Sequence, residues 1–170
     1  VIKATEIIRK NGHNISLTLV GGGSGKAYKM LLEQKRISDP YNEYIFLEQF
    51  VPQSDLPNFL SASDIFVFAS SCENMPNTLI EAMAAGLPIA CSDRGPMPEV
   101  LEDAGLYFNP ESSLSIAEAI SNLIENDKLR ESLGSKSKSL SKNYSWERCA
   151  KETWLFLSKT FYEMEIKKNG

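Results

Sequence analysis

Ile65-Phe66-Val67-Phe68-Ala69 is an apolar run followed by a loop that cannot continue it, and this succession fixes much of what the chain can become. The run is short and rich in aromatic and β-branched residues, which reads as a strand. Ser70 to Met75 is mostly polar, and Met75 precedes Pro76, which pushes its backbone towards extended conformations. Pro76 suits the first helical position, where its missing N–H is not needed. Asn77 to Ala85 then reads as a helix, Gly86 is placed to end it, and Leu87 to Cys91 forms a second apolar run. Strand, loop, helix, turn and strand imply parallel strands with a helix between them.

The same alternation extends along the chain. Val1 to Lys10 reads as a helix, Ile15 to Val20 as a strand, and Gly21 to Gly25 as a turn. Lys26 to Lys35 reads as a helix, Tyr44 to Leu47 as a strand, and Asp55 to Ser61 as a short helix. Beyond the central unit come a helical turn at Met97–Leu101 and a short strand at Leu106–Phe108. From Ser113 the pattern is helical: one helix to about Glu125 with Ser113 as cap, one that starts after Asp127 and runs to about Asn143, and one capped by Ser145 that reaches towards Ile166. Lys136 to Lys142 reads as a solvated helix face, Trp146 as a ring packed behind its cap, and Lys167 to Gly170 as a frayed tail. These 170 residues therefore predict one α/β domain, a Rossmann-like parallel sheet with helices on both faces and a helical C-terminal segment.

Chemistry concentrates at the central loop. Glu73 falls in the loop at a strand's carboxyl end, and Glu81 falls about one turn into the following helix. Ligands of open α/β sheets bind outside the carboxyl ends of the strands. The first-turn amides around Asn77, Thr78 and Leu79 are expected to point into the same crevice, where free N–H groups and the helix dipole favour phosphate. Carboxylates repel phosphate but accept hydrogen bonds from hydroxyls. The implied ligand is a phosphate flanked by polyols, the shape of a nucleotide sugar. Read without that context, two glutamates near a helix start are equally a solvated face or partners of the dipole.

The full string resembles the E-x7-E region of the family 4 (group 1) glycosyltransferases, retaining enzymes of the two-domain GT-B fold. Further segments carry the resemblance in order: Leu17 to Gly23, Phe50-Val51-Pro52 with Asp55-Leu56-Pro57, Ala62 to Val67, Pro88 to Ser92, Pro98-Glu99-Val100, Gly105 to Phe108 and Tyr144 to Glu147. The resemblance implies that Glu73 contacts donor-sugar hydroxyls and is the residue nearest the chemistry. It implies that Glu81 holds the ribose, and that the backbones of Asn74, Met75, Asn77, Thr78 and Leu79 hold sugar and diphosphate. Val51 would lie on the nucleotide side. Pro76 has no N–H to donate. Many members carry Gly-Phe-Gly after the first glutamate, where this chain has Asn74-Met75-Pro76. The implied substrate is a UDP- or GDP-linked sugar. The implied acceptor is a glycan or lipid-linked sugar held by a separate N-terminal domain, with no cofactor and no essential metal. The family's opening strand, with its basic Arg and Lys pair, has no match here, so the resemblance implies the donor-binding half of a longer enzyme, weakly active or inactive alone. Alternatives from other classes are a sugar-nucleotide epimerase of related fold and a non-catalytic nucleotide-binding module.

Composition narrows the field. A net charge of −4 without a dominant basic stripe argues against nucleic-acid binding. The three cysteines Cys72, Cys91 and Cys149 fit neither a disulfide framework nor a zinc site and read as buried free thiols in a reducing cytoplasm. No apolar run reaches membrane-spanning length, so the chain is expected in the cytoplasm, with the full enzyme at most peripheral to the membrane. His13 is the single histidine, which excludes a His-based triad. Gly21-Gly22-Gly23-Ser24-Gly25-Lys26 mimics a P-loop, but Val20 and Ala27 stand where the motif needs Gly and Ser or Thr. A glycoside hydrolase would need a second acid with a raised pKa, and the sequence offers none in a clear apolar pocket.

Overall fold

The computed structural model describes residues 1–169. Every strand pair is parallel. Strands β1 (Leu17–Val20) and β2 (Ile45–Glu48) form one sheet, and β3 (Phe66–Phe68), β4 (Ile89–Ser92) and β5 (Leu106–Phe108) form a second in the order β3-β4-β5. Among the described residues one edge of β1 and one edge of β3 carry no ladder partner. The helices are α1 (Ile2–Lys10), α2 (Gly25–Ser38), α3 (Leu56–Ser61), α4 (Asn77–Ala85), α5 (Met97–Leu101), α6 (Ser113–Glu125), α7 (Asp127–Ser141) and α8 (Trp146–Asn169). Among the described residues no helix is long and apolar enough to cross a membrane.

Strand alternation builds two cores from one sheet. Successive side chains of a strand point to opposite faces. Ile89 and Cys91 of β4 therefore join Leu79, Met83, Met97 and Leu101 on one side, while Ala90 joins Ala4, Ile8, Phe108 and Ile116 on the other. Helices α4 and α5 serve the first core, and α1 and α6 the second. All four residues of β4 are buried, as a central strand covered on both faces requires. This confirms the layered parallel sheet read from the sequence.

The helix that carries Glu81 is held by a close approach to α7. Gly86 ends α4 with φ 80, the left-handed conformation that glycine adopts without a side-chain penalty. A Cβ on Gly134 of α7 would stand 2.5 Å from the Gly86 carbonyl oxygen. The buried Ser137 hydroxyl donates to the Leu87 carbonyl at 3.1 Å, tying α7 to the entry of β4. Gly134→Ala should therefore cost about 1–3 kcal/mol of stability by forcing the two backbones apart. Urea unfolding measures it, and an unchanged midpoint would show that the contact can give way freely.

Several sequence expectations are corrected. The N-cap of α6 is Ser112, whose hydroxyl accepts from the Ser115 N–H at 3.2 Å, because the helix already includes Ser113. Asn126 caps α7, and that helix stops at Ser141. Ser137 and Ser141 are buried, so the Lys136–Lys142 stretch is solvated at Lys136, Lys138, Ser139 and Lys142 but not along its whole length. Ser145 does cap α8, accepting from the Arg148 N–H at 3.1 Å, but Trp146 is 79% exposed and packs behind nothing. Trp154, Phe156 and Phe161 of the same helix are exposed too. Helix α8 continues through the expected frayed tail to Asn169, and Gly170 lies outside the described residues. Of the three thiols, all free, only Cys91 is buried, and burial pushes its pKa up to about 12, so it stays protonated at neutral pH.

Candidate functional site

The ladder sets the strand ends level. Phe68 pairs with Cys91, and Ser92 with Phe108, so the loops after β3, β4 and β5 leave one common carboxyl rim. Residues 69–76 form the first of these loops and lead into α4. Ser70 donates its hydroxyl to the Cys72 carbonyl at 3.3 Å, the one side-chain hydrogen bond within the loop among the described residues. Glu73 follows in non-helical backbone and is half-buried. Glu81 is the fifth residue of α4, also half-buried, between the apolar Ile80 and the buried Ala82. Neither carboxylate has an ion pair or hydrogen bond among the described residues. The structure thus puts one acid in the loop and one on the helix, as the sequence predicts.

The start of α4 differs from the expectation. Pro76 is the N-cap, with ψ 72, and its carbonyl accepts from Leu79 at 3.0 Å and from Ile80 at 3.2 Å. Asn77 donates its N–H to the Met75 carbonyl at 2.9 Å. Asn77 and Leu79, both expected to offer free amides, are therefore already satisfied. Proline supplies only a carbonyl, so the chain folds back to use it. Thr78 keeps its N–H without an acceptor among the described residues, as do Asn74 and Met75 in the loop, and all three residues are exposed. The free donors among the predicted backbones are thus Asn74, Met75 and Thr78, without Asn77 and Leu79. Unpaired backbone N–H groups at a helix start, next to two unpartnered carboxylates, can bind phosphate and hydroxyl groups together.

The neighbouring loops complete the rim. Val51, read as nucleotide-side, is half-buried in the loop between β2 and α3, and α3 packs on α4. The glycine turn after β1 runs close to the β2 loop, where a Cβ on Gly22 would meet the Gln49 carbonyl at 3.0 Å. Gln49 donates to the Tyr28 hydroxyl at 3.0 Å across that approach. Sequence reasoning overlooked Arg94 and Asn109, which stand just past the ends of β4 and β5, with Arg94 Nη2 3.4 Å from Asn109 Oδ1. Counting charged residues just beyond each strand's carboxyl end could have found Arg94. A cavity of about 370 Å³ between α1 and α6, where His13 lies 3.2 Å from Glu125, contains none of the predicted site residues.

A parallel α/β domain with helices on both faces and this helical C-terminal segment matches the C-terminal half of the GT-B glycosyltransferase fold. Residues 1–140 match the family described as glycosyl transferases group 1, and the chain belongs to that family. It is 35% identical over 104 residues to O-antigen chain mannosyltransferase B of Escherichia coli, covering 61% of this chain and 27% of that protein. It superposes on the C-terminal domain of the group 1 glycosyl transferase LpcC of Francisella tularensis with a TM-score of 0.72 and 26% identity, covering 84% of this chain and 75% of that one. It superposes on HepE of Anabaena, solved in complex with UDP-glucose, with a TM-score of 0.80 and 20% identity, covering 93% of this chain and 44% of that one. The chain spans less than a third of the length of the mannosyltransferase it matches.

Proposed function

We propose that this chain binds a nucleoside-diphosphate sugar, UDP- or GDP-linked, as the donor half of a retaining glycosyltransferase. One observation carries the reading: two half-buried carboxylates, without partners among the described residues, flank a helix start whose loop amides are also unpaired there. Glu73 accepts hydrogen bonds from sugar hydroxyls, and Glu81 accepts them from the ribose. The N–H groups of Asn74, Met75 and Thr78 bind the sugar side and the diphosphate, and the backbones of Asn77 and Leu79 shape that turn. Val51 borders the nucleotide. The full enzyme moves a hexose-type sugar to a glycan or lipid-linked acceptor held by a second domain, in the cytoplasm or at the membrane's inner face. HepE, solved with UDP-glucose, supports the donor class by similarity of fold.

The leaving diphosphate takes the acceptor's proton on the face it departs from, so configuration is retained and no protein nucleophile is needed. Catalysis on this reading comes from positioning and from stabilising the leaving diphosphate. The reading also places a strand from outside these 170 residues between β1 and β3. Its support is that each has an unpaired edge while α1 packs against both α2 and α6.

Calorimetric titration with UDP, GDP, UDP-glucose, GDP-mannose and NAD tests the assignment, in EDTA because the reading gives metal no role. A uridine or guanosine diphosphate should bind, and binding of NAD alone would sink the reading. Glu73→Ala should leave the bare diphosphate unaffected and weaken the sugar-linked form about tenfold, the scale of a hydrogen bond to a charged acceptor. Equal losses for both ligands would move Glu73 off the sugar.

A further inference from the structure

We infer that Arg94 is a specificity-determining residue that donates hydrogen bonds to the transferred sugar, complementing the acceptor Glu73. The inference rests on the donor-site reading above. Among the described residues of the three loops that leave β3, β4 and β5, Arg94 is the only lysine or arginine, beside the acids Glu73, Asp93 and Glu111. Its backbone is fixed. The Asp93 N–H donates to the Phe108 carbonyl at 2.9 Å, the Arg94 N–H to the buried Ser92 hydroxyl at 3.2 Å, and the Met97 N–H to the Arg94 carbonyl at 3.1 Å. The register puts this loop one strand over from the loop of Glu73, on the side of β3 away from its unpaired edge.

The guanidinium, by contrast, is loosely held. Nε lies 3.5 Å from Asp93 Oδ1, and Nη2 lies 3.4 Å from Asn109 Oδ1. Well-formed charge-assisted bonds are about 2.7–2.9 Å long. Asn109 itself is anchored, since its N–H donates to the Ser115 hydroxyl at 3.1 Å and its Oδ1 accepts from the Glu111 N–H at 3.0 Å. Arg94 is thus parked on the rim by two long contacts, with most of its five donors uncommitted. A carboxylate can only accept from a hydroxyl and a guanidinium can only donate to one, so the pair reads opposite sides of a hydroxyl pattern. A site built to bond particular hydroxyls rejects sugars that lack them.

The test titrates the wild-type chain, Arg94→Ala and Arg94→Gln with UDP and UDP-glucose and with GDP and GDP-mannose. For whichever pair binds, both variants should hold the bare diphosphate as tightly as wild type and the sugar-linked form about tenfold more weakly. Thermal melts should match wild type, since the side chain is half exposed. Unchanged affinity for the sugar-linked form, or an equal loss for both ligands, overturns the role of Arg94. In either case diphosphate binding that is sensitive to Glu81→Ala leaves the donor-site reading standing. Failure of wild type to bind any of the four ligands overturns both.

Discussion

Replacing Asp39 with alanine should destabilise the chain by about 3–5 kcal/mol, the sum expected when several enclosed N–H groups lose one shared acceptor. Asp39 is 2% exposed and stands at the C-cap of α2. Its Oδ1 accepts from the Glu43 N–H at 2.9 Å, and its Oδ2 accepts from Tyr44 at 3.0 Å and from Ile45 at 2.8 Å. One carboxylate therefore closes the turn and starts β2, whose Ile45 is fully buried. Alanine would leave the Ile45 N–H unpaired in the core and the Glu43 and Tyr44 N–H groups unpaired where they are partly buried. Asn, with a single carbonyl oxygen, should fall between Asp and Ala. At this chain length about 2–4 °C of melting temperature accompanies each kcal/mol, so a fall of about 10 °C is expected. A variant that melts with wild type would show that the turn re-forms without its anchor.

The pH dependence gives the same contact a second signature. Burial alone would raise the Asp39 pKa, but the three backbone donors outweigh it and hold the carboxyl below its usual range. A pKa depressed in the folded state contributes stability that is present above the unfolded pKa, about 3.9. That contribution is lost as pH falls from there through the lower folded value. Wild type and Asp39→Ala should therefore differ most near neutral pH and converge in acid. Unfolding curves at pH 7 and pH 3 check this.

Asp39 also marks where the sequence stopped being legible. The alternation of apolar runs with helical stretches was enough to place every strand and helix, because burial on two faces leaves a period in the residues themselves. Asn77–Ala85 and Met97–Leu101 match to the residue, since Pro76, Gly86 and Pro98 punctuate them. Asp39 was invisible because its partners are backbone groups of the turn it creates, which have no side-chain signature. The same holds at Pro76. Its missing N–H was read correctly, but its carbonyl takes two helix donors, and only the folded turn shows that Asn77 and Leu79 are spent. Trp146 and Cys72 failed for another reason: residue type predicts burial only on average, and both sit where no element packs over them.

Glu81→Ala should weaken binding of the cognate nucleoside diphosphate by about 10- to 100-fold, the range for hydrogen bonds to a charged acceptor. The residue sits one turn beyond Thr78 on a helix fixed by the Gly86–Gly134 approach, so its carboxylate is presented by rigid backbone. Half-buried and unpartnered, it can take both hydroxyls of a ribose in a bidentate contact without first breaking a protein bond. Truncation to alanine removes those acceptors and should leave the fold unchanged. A cycle with the 2′,3′-dideoxy diphosphate isolates the contact. Wild type should lose about as much affinity for the dideoxy ligand as Glu81→Ala loses for the normal one, and the variant should scarcely distinguish the two. The interaction energy of that cycle is then the ribose contact itself. A full second loss when both changes are combined would mean that Glu81 acts elsewhere, and the hydroxyl clamp would have to be sought on another loop of the rim.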